Sequence, residues 1–178
     1  MNCFGGWLQP LGEVEDNSIF LSRLNGWSGI AGNKNSEWLD TMKKRVLFLC
    51  THNSCRSQMA EGLVNKYLGD RFEAYSAGTE ATRVNPVAIQ VLAELGIDIS
   101  NQYSKTLDQF SDQCFDYVIT LCGSANEQCP LFFGGVQRVH IGFDDPSRFT
   151  GPSSEILPEF RRVRDALRKK LIDFLTRG

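Results

Sequence analysis

The segment that most constrains this chain is Val46-Leu47-Phe48-Leu49-Cys50-Thr51-His52-Asn53-Ser54-Cys55-Arg56-Ser57, followed by the amphipathic stretch Gln58 to Leu68. A short apolar run, a tight polar loop and a helical pattern make the entry to a βα unit. A loop that opens a helix collects backbone N–H groups with no intrahelical partner, and these favour an anion. Arg56, at the mouth of that helix, can clamp two oxygens of a tetrahedral oxyanion. Cys50 ends the strand and would lie under the same anion. The loop N–H groups, the helix dipole and the arginine should all favour its thiolate. Ser57 can add a hydroxyl donor to the sulfur. Thr51, His52, Asn53, Ser54, Cys55 and Arg56 are therefore the expected oxyanion-binding loop, with Cys50 the nucleophile.

The rest of the chain repeats the strand–helix rhythm. Strands are expected at Arg45 to Leu49, Phe72 to Ser76, Tyr117 to Leu121 and Val136 to Ile141. Helices are expected at Arg56 to Leu68, from Asn85-Pro86 to about Leu95, and from about Glu155 to Leu175, with a helical turn near Leu107. Asn85 is placed to cap and Pro86 to fill the first helical position. Met59, Leu63, Val64, Tyr67 and Leu68 read as the buried stripe of the first helix. The alternation predicts an α/β fold: an open four-stranded parallel sheet with helices on both faces. Sites in such sheets lie beyond the carboxyl ends of the strands. Cys50, Cys122 and Asp145 all fall there.

Composition narrows the function. The chain has 178 residues and a formal net charge of −2, which argues against a dedicated nucleic-acid binder. The cluster Arg161, Arg162, Arg164, Arg168, Lys169 and Lys170 reads as the wet face of a helix. No apolar run spans a membrane and the start lacks a signal peptide's pattern, so a cytoplasmic protein is expected. Six cysteines in a reducing compartment point to catalysis, metal or redox chemistry rather than structural bridges. Residues 1–41 are rich in glycine, hold all three tryptophans and show no sustained period. They read as an N-terminal extension, poorly ordered or not native, with the domain proper at 42–178.

Asp145 precedes Pro146 in a turn, where a carboxylic acid can protonate a leaving oxygen. Asp144 is the weaker candidate. Cys122 and Cys129 flank a polar segment. Their spacing is poor for zinc, since His52 and His140 lie far apart, and good for thiol–disulfide exchange. Cys55 reads as a neutral small residue, Cys114 as a buried filler and His140 as structural.

These motifs resemble the low-molecular-weight protein tyrosine phosphatase superfamily, and within it the thioredoxin-coupled arsenate reductases. The resemblance rests on Cys50 to Gly62, Ser76-Ala77-Gly78, Val84-Asn85-Pro86, Gly96 to Ser100, Leu121-Cys122, Cys129-Pro130, Gly142 to Pro146 and Phe160 to Asp165. It implies a flavodoxin-like winding and a relay for arsenate reduction. Cys50 attacks arsenate, Asp145 protonates the departing oxygen, Cys122 attacks Cys50, and Cys129 moves the disulfide outward for thioredoxin. It implies no bound cofactor or metal, a likeness to monomeric enzymes, and arsenate and thioredoxin as partners. The alternative is a tyrosine phosphatase using Cys50, Arg56 and Asp145 with water. Against that, Ser147 and Arg148 stand where such phosphatases carry aromatic residues. Two positions depart from the pattern. His52 stands where glycine is common. Lys105 stands where some relatives carry an aspartate that, with groups matching Asn53, Glu61 and Ser76, binds potassium. An ammonium there can pair with Glu61, which implies little potassium dependence.

Overall fold

The computed structural model describes residues 43–122 and 135–177. The chain divides into two units between Met42 and Lys43, and the second carries everything described below. Its elements in chain order are β1 (Lys44–Cys50), α1 (Arg56–Tyr67), β2 (Phe72–Gly78), α2 (Pro86–Ala93), a 3-10 helix (Leu107–Phe110), β3 (Phe115–Thr120), β4 (Gly135–His140), a second 3-10 helix (Pro146–Arg148) and α3 (Ser153–Arg177).

The four strands form one sheet in the order β2-β1-β3-β4, and every pairing is parallel. β1 therefore sits between β2 and β3, where successive crossovers run to opposite sides and leave a crevice at the strands' carboxyl ends. Because β1 is buried on both faces, Val46, Leu47, Phe48 and Leu49 are all apolar and all buried, as an inner parallel strand requires. Val46 and Phe48 face a core shared with α1, α2 and α3, built from Met59, Leu63, Leu92, Phe160, Leu167 and their neighbours. Leu47 and Leu49 face the other side. There, among the described residues, the covering element is the Leu107–Phe110 turn, and the rings of Tyr75, Phe110 and Phe115 meet edge to face.

Helix ends follow the expected chemistry. Asn85 caps α2, accepting from Val87 N at 2.8 Å, and Gly96 leaves that helix at φ +68°, a conformation open to glycine. Gly62 lets α1 approach α2 and the segment after it, because a Cβ there would lie 3.0 Å from Leu92 Cδ1 and 2.7 Å from Ile99 Cγ2.

Four expectations are corrected. Tyr67 is 40% exposed and lies beneath Arg168, while its neighbour Leu68 takes the buried place in the core. Cys114 is exposed, just ahead of β3. Arg164 leaves the wet face of α3. It is buried, donating to Val91 O and Glu94 Oε2, both at 2.9 Å, so it closes the carboxyl end of α2. Finally, α3 starts at Ser153, ahead of Glu155, with Pro152 O accepting from Glu155 N and Ile156 N.

Candidate active site

The loop between β1 and α1 is turned inside out by its neighbours. Each carbonyl from Cys50 to Ser54 is taken by a group outside the loop's inner face. Cys50 O accepts from Thr79 N and Thr51 O from Glu80 N. His52 O accepts from the hydroxyls of Ser104 and Thr82, Asn53 O from Gln58 Nε2, and Ser54 O from Asn85 N. In a trans peptide the N–H points opposite the carbonyl. The loop's N–H groups are thereby directed inward, and Asn53 N lies 3.2 Å from Cys50 Sγ. Gly78 allows this closeness. A Cβ there would lie 2.6 Å from Thr51 O and 2.8 Å from Asn53 N. α1 begins without a side-chain cap and without an acidic residue in its first turn. Its N-terminal donors remain available to an anion.

Asn53 organises the interior of the loop. It is fully buried and sits at φ +46°, a region in which asparagine is among the few side chains at ease. Its Oδ1 accepts from Lys105 N at 2.7 Å and Gln58 Nε2 at 2.8 Å, which fixes the other atom as nitrogen. Nδ2 donates to Ser57 Oγ at 2.9 Å and Ser76 Oγ at 2.8 Å. Ser76 passes its hydrogen to Glu61. Ser57 Oγ accepts from Asn53 and keeps its one hydrogen, which it can give to Cys50 Sγ at 2.8 Å. As a thiolate the sulfur can accept from both Ser57 and Asn53. Behind this chain stands Lys105, buried, with Nζ 3.4 Å from Glu61 Oε2 and 4.9 Å from the Tyr103 ring centre.

Arg56 reaches across to the acid. Its Nη2 lies 3.0 Å from Asp145 Oδ2, and Nη1 donates to Phe143 O at 3.0 Å. Asp145 Oδ1 accepts from the backbone and hydroxyl of Ser147, which fixes the carboxylate at the head of its 3-10 helix. Asp144 is exposed and tied to Arg162 on α3. Cys122, just beyond β3, is buried against Cys50, and its sulfur is 3.4 Å from Thr51 Oγ1. His52 is exposed, 3.6 Å from Glu80. These groups line one cleft of about 540 Å³, bounded by Thr51, His52, Arg56, Cys122, Gly142 to Asp145 and Arg148. Cys129 lies outside the described residues. His140 Nδ1 is paired with Thr120 Oγ1 at 2.9 Å. Among the described residues no cluster of three His, Cys, Asp or Glu side chains could hold a metal.

The donors expected at Cys50 are present, and burial opposes them. Burial pushes the Cys50 thiol above its ordinary range, outweighing the hydrogen bonds from Ser57 and Asn53 that pull it down; Cys122 adds to the rise. Burial also pushes Cys55 up to about 12, so it is a neutral thiol at neutral pH. A raised thiol holds its proton longer, so its thiolate fraction grows as pH climbs through and beyond the ordinary thiol range. Alkylation of Cys50 by iodoacetamide, followed by peptide mass spectrometry, should therefore show a midpoint above that of an unperturbed thiol. Ser57→Ala should move it higher still. A midpoint below the ordinary value would mean that the loop's donors outrun burial.

The family model described as low molecular weight phosphotyrosine protein phosphatase matches residues 45–177. The chain belongs to this family. It is 52% identical over 136 residues to an arsenate reductase of Halalkalibacterium halodurans, spanning 76% of this chain and 98% of that protein. It is 49% identical over 135 residues to an arsenate reductase of Bacillus subtilis, covering 76% and 97%. Among solved structures, one described as an arsenate reductase in the phosphate-binding state superposes with a TM-score of 0.66 at 34% identity, covering 75% of this chain and 98% of that one. A low molecular weight protein tyrosine phosphatase from T. tengcongensis matches with a TM-score of 0.54 at 30% identity, covering 74% and 99%.

The sequence reading did not anticipate the ring of carbonyl acceptors around the loop, the hub role of Asn53, or Gln58 and Arg162. The motifs Ser76-Ala77-Gly78 and Val84-Asn85-Pro86 were the available signals for that ring, since Gly78 and Asn85 supply part of it.

Proposed function

We propose that this protein is an arsenate reductase that converts arsenate to arsenite through a three-thiol relay. The observation that carries the reading is the second thiol. Cys122 packs against Cys50 inside the cleft, where a hydrolytic enzyme would need room for water. The Cys50 thiolate attacks arsenic, forming an S–As bond. The Asp145 carboxyl gives its proton to the oxygen that leaves as water. The Cys122 thiolate then attacks Cys50 Sγ. An S–S bond forms, the S–As pair stays on arsenic, and As(V) departs as As(III). Attack by the Cys129 thiolate on Cys122 frees Cys50 and leaves a Cys122–Cys129 disulfide, which a thioredoxin dithiol reduces. All electrons come from thiols, so the cycle uses no resident cofactor. The reading includes a monomeric, cytoplasmic enzyme whose catalytic unit is the domain at 42–178. Among the described residues no helix is long and apolar enough to cross a membrane.

Arsenate-dependent NADPH oxidation with thioredoxin and its reductase should proceed with the parent and stop with Cys122→Ser and with Cys129→Ser. Continued turnover by either variant would remove that cysteine from the relay. A phosphatase reading retains support from the family and from the loop, Arg56 and Asp145. It would take over if the parent were inert with thioredoxin yet hydrolysed an aryl phosphate well.

Lys105 supports a further part of this reading. Its buried ammonium already faces Glu61, so an alkali cation has no role left to fill there. Replacing sodium by potassium at constant ionic strength should leave turnover and Tm unchanged; a large gain in either would count against it.

A further inference from the structure

The charges lining the cleft are unevenly matched. Arg56 and Asp145 pair with each other. Asp144 is held by Arg162 from α3, both Nη atoms lying 3.1 Å from Oδ2. His52 faces Glu80. Arg148 also lines the cleft and is exposed, yet among the described residues its guanidinium has neither a hydrogen bond nor an ion pair. Its position is set by the same short turn that presents the acid. Asp145 caps the 3-10 helix Pro146–Arg148, and Arg148 N donates back to Asp145 O at 3.4 Å.

We infer that Arg148 is a specificity-determining residue, one that favours inorganic tetrahedral dianions over phosphate esters. The inference rests on the site being an oxyanion cradle of the kind proposed above. Three oxygens of the anion meet the loop's inward N–H groups and Arg56. The fourth points out of the cradle, toward Asp145 and the turn that carries Arg148. In arsenate or inorganic phosphate that outer oxygen is bare and carries charge or a proton. In an aryl phosphate it is the bridging ester oxygen, which carries little charge and is shielded by its ring. A guanidinium on this side rewards the first and gains little from the second. It also supplements Arg56, whose guanidinium is shared between the Asp145 carboxyl and the incoming dianion, and an unpaired cation in a confined cleft raises the local concentration of anions.

The test reads binding without depending on any reductant. Arsenate, and in a separate series inorganic phosphate, is titrated as a protectant of Cys50 against iodoacetamide, with the Cys50 peptide quantified by mass spectrometry. p-Nitrophenyl phosphate hydrolysis gives the ester arm. Arg148→Ala should raise the half-protecting concentration of both inorganic anions about fivefold, as expected for an exposed charge, and change the KM for the ester less than about twofold. Arg148→Lys should restore most of the protection, and Arg148→Glu should weaken it beyond alanine. Unchanged protection in Arg148→Ala would overturn the inference, as would an equal loss for ester and inorganic anion. If thioredoxin-coupled turnover fails while phosphate protection still depends on Arg148, the reductase reading falls and this one stands.

Discussion

Arg56→Lys is expected to lower kcat/KM for the oxyanion reaction by about a thousandfold, or about 4 kcal/mol of transition-state stabilisation, although the net charge is kept. The reason is geometric. The contacts described for Arg56 use two of the five N–H donors of a guanidinium, one to Phe143 O and one to Asp145. The planar fork can therefore hold the acid loop and grip two oxygens of the anion at once. An ammonium is a point donor on a flexible stem and cannot do both in one plane. Arg56 is nearly buried and Asp145 half-buried, so a lysine that fails to reach the carboxylate also leaves an acidic group poorly matched. The kinetic signature should be a fall in kcat together with kcat/KM, since the fork serves the anion most as charge shifts during attack. Oxyanion protection of Cys50 should weaken far less than kcat falls. A variant within tenfold of the parent would mean that the loop N–H groups alone carry the anion.

Much of this arrangement was legible in the sequence. β1 reads correctly because an inner parallel strand must be apolar on both faces. α2 reads correctly because Asn85-Pro86 and Gly96 are local signals with local causes. The convergence of Cys50, Cys122 and Asp145 follows from topology alone, since parallel strands deliver their carboxyl ends to one edge. What could not be read depends on partners distant in the chain. The Ser54 carbonyl meets Asn85 N, and the His52 carbonyl meets Ser104. These are ordinary backbone and hydroxyl groups with no compositional mark. Arg164 looks like its basic neighbours until α2 is packed against it, and Tyr67 keeps the helical period yet ends at the surface under Arg168. The balance at Cys50 was only half legible for a related reason. Sequence shows the donors around a thiol, whereas the opposing term, loss of water, appears only once the strand is buried.

Asn53→Ala tests the hub from which the nucleophile is held. The variant loses four side-chain hydrogen bonds, to Lys105 N, Gln58, Ser57 and Ser76, and places a Cβ residue without a polar side chain at φ +46°. Left-handed backbone costs about 1 kcal/mol, and buried groups stripped of partners cost about 1 to 3 kcal/mol each before any relaxation. A loss of about 3 to 5 kcal/mol in urea unfolding is expected, enough to lower Cm clearly at unchanged m. Asn53→Gly should recover only the backbone share. Asn53→Asp separates stability from chemistry. It keeps the acceptor for Lys105 N and Gln58, but its second oxygen now accepts from Ser57 and Ser76. Turning the Ser57 hydroxyl toward that oxygen takes its hydrogen away from Cys50. Asn53→Asp should therefore be more stable than Asn53→Ala yet move the Cys50 alkylation midpoint higher, since the sulfur loses a donor and gains a nearby negative charge. If the aspartate variant alkylated like the parent, the hydrogen on Ser57 would not be directed by Asn53. The chain from Lys105 through Glu61, Ser76 and Asn53 would then be support for the loop without influence on the thiol.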